Sequence, residues 1–145
     1  MQKRKNGGIS FNKTGELCFS DKHNKIIVNI DYILASDYDS RTQGLMFFDK
    51  LEENQGMLFI FPAAEVQHFW MKDTSLPLDI IFVNTERCII KIEENAKPFS
   101  QEIISSEIPV IFVVEVNSGF CKRYKISLGD IISWDYNKKG CRSSL

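Results

Sequence analysis

The chain has 145 residues, 43% of them apolar and 12% aromatic, with eleven phenylalanines. This composition excludes a disordered chain, and the length suits one domain with its own core. The net charge is −1, but Lys3, Arg4, Lys5, Lys138, Lys139 and Arg142 sit at the two ends, leaving 12 basic and 19 acidic residues between them; that acidic body argues against nucleic acid as a partner.

Residues 1–15 read as a basic, mobile N-terminal tail, 16–136 as a single β domain and 137–145 as a basic C-terminal tail. Leu17 and Phe19 precede a polar turn at Asp21 to Asn24, so a hairpin is expected there. From Lys25 to Leu34, Ile26, Val28, Ile30, Tyr32 and Leu34 alternate with a mixed face, the pattern of a strand. Ser36 is placed to cap a short helix over Asp37 to Gly44, and Leu45 and Met46 to dock it. Gly56 to Phe61, Val66 to Met71 and Leu78 to Val83 are apolar on both faces, as strands covered on both sides are. Asn84 to Arg87 is turn-like, and Cys88 to Glu94 returns as a strand. Pro98 to Glu107 reads as irregular or as a short helical turn. Val110 to Val116 is another central strand, Ser118 to Tyr124 one helical turn, and Ile131 to Asp135 a last strand. About eight or nine short strands with one or two small helices, and no strand–helix–strand alternation, point to a mainly β fold, a sandwich or small barrel.

Four blocks follow one another closely: Gly44-Leu45-Met46, Gly56 to Phe61, Phe69 to Thr74, and Leu76 to Val83. Ile89 to Ile92, Ala96-Lys97-Pro98, Pro109 with Val113 to Val116, Gly119, Ile126 and Gly129-Asp130 continue the series. In this order and spacing the chain resembles the uncharacterised prokaryotic family called domain of unknown function 192, over roughly residues 26 to 132. The resemblance implies a sandwich-like fold and names no reaction. Two positions depart from the family pattern: Asp73 stands where Asn is usual, and Phe48 where a basic residue is usual.

The segment Phe69 to Thr74 combines an apolar strand with an ammonium, a carboxylate and a hydroxyl. An apolar surface with a few convergent polar groups is what a ligand site requires, so Trp70, Met71, Lys72, Asp73 and Thr74 are the leading ligand-binding candidates, with Asp79 and Asp130 beside them. The bland alternative puts Trp70 and Met71 in the core and Lys72 and Asp73 in a local pair. Asp79 and Glu115 lie among apolar residues on central strands, where a carboxylate must find a partner or keep a proton. Together they are candidates for an acid–base pair of a hydrolase; singly, each can be satisfied by backbone donors. Asp130 after Gly129 also suits a turn that binds its own backbone.

The reading therefore favours a module that binds a small-molecule ligand or a partner over an enzyme. A third reading is self-association through an apolar edge at Phe47, Phe48 and Phe69. No cofactor motif is found, no metal site is implied by His23, His68 and the four cysteines, and Cys18, Cys88, Cys121 and Cys141 are not spaced as a disulfide framework. No apolar run approaches the ~20 residues that cross a bilayer, so no membrane role is expected. No apolar segment follows the basic start, so the chain as given reads as cytoplasmic, and as exported only if a leader is missing.

Overall fold

The alternating stretch around residues 25–34 forms the second strand of a hairpin in the computed structural model, which describes residues 8–135 and the backbone of Arg4 and Lys5. The elements in chain order are β1 (Arg4–Lys5), β2 (Gly8–Ile9), β3 (Gly15–Ser20), β4 (Ile26–Ala35), α1 (Tyr38–Gln43), β5 (Gln55–Glu65) and β6 (His68–Phe69). There follow β7 (Leu78–Val83), β8 (Ile89–Ala96), β9 (Ile104–Ser105), β10 (Val110–Asn117), α2 (Phe120–Tyr124) and β11 (Ile131–Asp135). The mainly β expectation holds. Seven strands form one sheet in the order β11-β3-β4-β5-β10-β7-β8, and β6 pairs with β9 in a small second sheet.

The hairpin turn closes because the Asp21 carboxylate accepts the backbone N–H groups of His23 and Lys25 at 2.8 and 2.9 Å. From β4 the chain crosses through α1 to β5, which lies parallel to β4. This one strand–helix–strand crossover was not expected from the sequence. A parallel neighbour cannot be reached by a tight turn, so the connection must carry the chain back across the sheet. The cap of α1 is Asp37, one residue later than expected: its carboxylate accepts the Ser40 N–H at 2.7 Å, and the Ser40 hydroxyl accepts the Asp37 N–H at 3.2 Å. The tight turn after α1 needs Gly44 at φ +52, and its N–H bonds Ser40 O at 2.9 Å.

The sheet curls until its two edges touch at one corner. Cys88 bridges Ile131, Ile89 N–H donates to Asp130 O at 2.8 Å, and Ile132 N–H donates to Arg87 O at 3.0 Å. Two apolar clusters result, one on each face. The inner cluster includes Leu17, Phe19, Tyr32, Leu58, Ile81, Val114 and Phe120. The outer cluster includes Leu45, Phe48, Met57, Phe59, Met71, Ile80, Phe82 and Val113. This explains why β5, β7 and β10 are apolar on both faces: each contributes alternate residues to the two clusters.

The outer face is covered by the turn after α1 and by two segments, 66–77 and 97–108, pinned to each other. Met71 N–H donates to Ser100 O at 2.9 Å, Phe99 N–H to Thr74 O at 3.0 Å and Ser106 N–H to Gln67 O at 2.9 Å. The 98–107 stretch expected to be irregular therefore contributes a short strand, β9. The expected strand at 66–71 shortens to His68–Phe69 because its partner is itself two residues long.

Ile9 and Phe11 pack against the outer cluster, and Thr14 bonds both ways to β4, so ordered structure reaches into residues 9–14 of the expected tail. The expected tail at 137–145 lies outside the described residues. Cys18 is disulfide-bonded, which the spacing of the cysteines did not signal, while Cys88 and Cys121 carry free thiols.

Candidate functional site

A cleft of about 490 Å³ opens on the outer face, between the α1 turn and the β6 segment. Its size falls in the range of small-molecule sites. One wall comes from Arg41, Gln43, Gly44 and Met46, the other from His68, Phe69, Trp70, Met71 and Thr74. Phe59 and Phe61 of β5 and Glu115 of β10 also line it.

Glu115 lies on β10, an interior strand between β5 and β7. Its strand neighbours are Met57 on β5 and Ile80 on β7, both apolar members of the outer cluster. The residue is only 4% exposed, and its carboxyl has no hydrogen-bond or ion-pair partner among the described residues. Burial alone, with no compensating cation, pushes its pKa up from the usual carboxylate range to about 8. At neutral pH it is therefore a neutral acid, with one O–H to donate and an oxygen to accept. A β-carbon on Gly44 would sit 3.9 Å from its Oε1, so glycine keeps the turn close without narrowing the space further.

The aromatic part of the cleft is a set of edge-on rings. Phe69 meets Phe59 at 5.1 Å and Phe61 at 6.2 Å between centroids, at 87° and 82°, and reaches Phe82 behind them at 5.9 Å. Arg41 lies over the Phe61 ring at 5.4 Å. Its Nη1 donates to Ser36 O at 2.6 Å and Ile60 O at 3.2 Å, two backbone carbonyls, and no carboxylate among the described residues pairs with it.

Of the seven expected ligand-binding residues, the structure brings Trp70, Met71 and Thr74 to this cleft. Trp70 is 40% exposed, whereas Met71 and Thr74 are buried. Thr74 closes a turn: its hydroxyl donates to Lys72 O at 3.1 Å and its N–H to Met71 O at 3.1 Å.

Lys72 and Asp73 do not line the cleft. Lys72 stacks its ammonium over the Trp70 ring at 5.4 Å. Asp73 serves through its backbone: it sits at φ +56, and its carbonyl accepts the Phe47 N–H at 3.0 Å. That left-handed position suits Asn and Asp above other side chains, which accounts for the interchange of these two at this place. The expected Lys72–Asp73 ion pair is not formed.

Asp79 is fully buried, and its carboxylate accepts the Asn95 N–H and the Cys121 N–H, each at 3.0 Å. It ties the end of β8 and the start of α2 to β7. In the register of β7 and β10, Asp79 stands opposite Val116, and Glu115 stands opposite Ile80. Asp79 thus faces the inner cluster and Glu115 the outer one. The expected acid–base pair cannot share a cleft, because strand alternation puts the two carboxyls on opposite faces. Asp130 accepts the Ser127 N–H at 2.7 Å in the turn before β11 and lies away from the cleft, so its local turn role is the one observed.

The apolar edge expected at Phe47, Phe48 and Phe69 is also revised. Phe48 is 1% exposed inside the outer cluster, and Phe69 is held among rings; Phe47 alone of the three is exposed, at 42%. An apolar side chain fits position 48 because it is buried in the outer apolar cluster, where a basic residue would lose its hydration.

Arg41, Gln43 and Gly44 line the cleft without having been named as site residues, and His68, read from the sequence as no metal ligand, lines it too. The one local signal was Gly44 opening a Gly-Leu-Met block straight after a helix. Among the described residues no three His, Cys, Asp or Glu side chains converge as a metal site would require, and no helix is long and apolar enough to cross a membrane.

Two solved structures share this architecture. A protein of Sinorhizobium meliloti 1021, provisionally assigned as a transcription regulator, is 36% identical, with a TM-score of 0.81 over 88% of this chain and 98% of its own. A protein of unknown function from Novosphingobium aromaticivorans DSM 12444 is 30% identical, with a TM-score of 0.77 over 82% of this chain and 84% of its own. Comparison with curated proteins found no match. Residues 19–134 match the family described as Uncharacterized ACR, and the chain belongs to that family, domain of unknown function 192.

Proposed function

We propose that this domain is a small-ligand-binding module whose site is the cleft between the α1 turn and the β6 segment. The observation that carries the reading is the Glu115 carboxyl, buried, without a partner, and lining the cleft. A carboxyl at a cleft wall that the fold leaves without a protein partner takes its hydrogen bonds from whatever fills the cleft. The aromatic and thioether side chains around it offer apolar contact, and Arg41, His68 and Thr74 offer polar groups for orientation.

A thermal-shift screen against sugars, nucleotides, amines and organic acids tests the reading. A ligand present at a hundred times its Kd stabilises by about 2.7 kcal/mol, which raises Tm by about 5–10 °C in a domain of this size. Such a rise, lost in Trp70→Ala while the variant's own melting stays cooperative, supports the cleft as the site. A rise that Trp70→Ala leaves intact moves the site elsewhere, and no rise with any class counts against a binding module.

A further inference from the structure

Resting on the cleft reading, we infer that its ligand is a small primary amine, with an apolar body against Phe59, Phe61 and Phe69 and its ammonium paired with the Glu115 carboxylate. The buried polar side chains that line the cleft are Glu115 and Thr74, and both call for donors. The Thr74 hydroxyl gives its proton to Lys72 O at 3.1 Å, so toward the cleft it can only accept. A buried carboxylate is matched by protein donors, by a metal or by another cation. Glu115 has no donor among the described residues, and no three His, Cys, Asp or Glu side chains converge there to share a metal. The remaining partner is a cation from outside, and an ammonium carries three donors and no acceptor. An apolar wall stands beside the carboxyl. A β-carbon on Gly44 would lie 3.4 Å from the Phe59 ring and 3.9 Å from Glu115 Oε1, so ring and carboxyl flank one point. Phe69, edge-on to Phe59 and Phe61, extends that wall for the body of the ligand.

The charged and titratable groups around Glu115 leave this pairing unopposed. The flanking strands present Met57 and Ile80, neither of which titrates. Arg41 belongs to another part of the cleft. Its guanidinium bonds Ile60 O, and Ile60 stands three residues along β5 from Met57, about 10 Å of strand. There it lies over Phe61, and its charge helps, after the hydrogen bonds from Ser40, to hold the Asp37 carboxyl below its usual range. Tyr38 and His68 are exposed at the rim, as is Glu65, whose charge favours a cation only weakly through water and salt. With no cation beside it, burial keeps the proton on Glu115. An ammonium takes the place of that proton, which leaves to water. A carboxylate ligand would meet two acceptors instead.

The test is an NMR titration of the whole chain with three probes of similar shape, benzylamine, benzyl alcohol and benzoate, read at the Gly44 amide and the Trp70 indole N–H. Benzylamine is expected to bind at least about tenfold more tightly than the other two, the worth of one charge-assisted hydrogen bond. Glu115→Gln, which keeps the shape and removes the charge, should lose about tenfold for benzylamine and less than about twofold for benzyl alcohol. Glu65→Gln, which removes the rim charge, should change benzylamine binding by less than about twofold. Equal or tighter binding of benzyl alcohol or benzoate, or a Glu115→Gln variant with unchanged affinity for benzylamine, would overturn the amine inference and leave the cleft reading standing. So would a loss in Glu65→Gln as large as that in Glu115→Gln, because the ammonium would then sit at the rim. If none of the three probes, nor any ligand of the thermal screen, moves the Gly44 and Trp70 signals, the cleft reading and the inference fall together.

Discussion

Asp79 and Glu115 stand on adjacent strands, each in an apolar stretch, and the fold treats them in opposite ways. Asp79 turns to the inner cluster and receives two backbone N–H groups, so its charge is matched and its work is structural. Glu115 turns to the outer face, receives nothing, and ends at a cleft. Burial as such therefore does not separate the two carboxyls; a protein partner does, and its absence beside open space is the ground on which the proposed site includes Glu115 and leaves out Asp79. The neighbourhood of Asp79 carries the same message, for the Cys121 thiol is pushed up first by burial and then by the Asp79 carboxylate, which makes it a poor nucleophile.

The contrast is sharpest in stability. Asp79→Ala strands the buried Cys121 N–H and the part-buried Asn95 N–H and should cost about 3 kcal/mol, read as a lowered urea midpoint with an unchanged slope. A loss below about 1 kcal/mol would mean that Asp79 does not hold α2 and β8 together.

Glu115→Gln should act in the opposite direction, and with pH. Below its ordinary pKa of 4.5 both folded and unfolded chains hold the Glu115 proton. Between there and about pH 8 the unfolded chain releases it and the fold does not, so the unfolded state binds fewer protons and wild-type stability falls as pH rises. The Gln variant lacks this slope. The two Tm-versus-pH curves should meet near pH 4 and separate until the variant leads by on the order of 3 kcal/mol at pH 7. Parallel curves would show that Glu115 is paired after all, and the contrast with Asp79 would collapse.

Gly44→Ala probes the boundary of the cleft. At φ +52 a β-carbon is strained and would lie 3.4 Å from the Phe59 ring, so a cost of about 1 kcal/mol is expected by thermal melting. A neutral result would indicate that the turn relaxes and that glycine is not needed to keep the space beside Glu115. Lys72→Ala should be the mildest, at most about 0.5 kcal/mol, since an exposed ammonium stacked on an exposed ring contributes little. A loss of ligand binding in this variant would return Lys72 to the site from which its position removes it.

Much of the architecture was legible in the residues. Strict alternation at 26–34 and apolar runs at 78–83 and 110–116, each interrupted by a single carboxylate, gave strands with the right faces, because side-chain period follows backbone geometry wherever the chain is extended. The turn roles of Asp21, Asn84 and Asp130 are local, and local rules found them. The parallel crossover from β4 to β5 and the short β6–β9 sheet were missed, since pairing partners far apart in the chain leave little trace in either strand alone.

By itself, then, the sequence determined a mainly β domain, its membership in a family and a segment, Phe69 to Thr74, that ends beside a cleft. The tertiary structure alone decided which side chains of that segment reach the space, and that Arg41 and Gly44 from the α1 stretch and Glu115 from distant β10 meet it there. It also decided that Asp79 and Glu115 never meet. The physical reason is register: alternation states that a residue faces one side or the other, but only the pairing of β7 with β10 sets Asp79 against Val116 and Glu115 against Ile80, on opposite sides of one sheet.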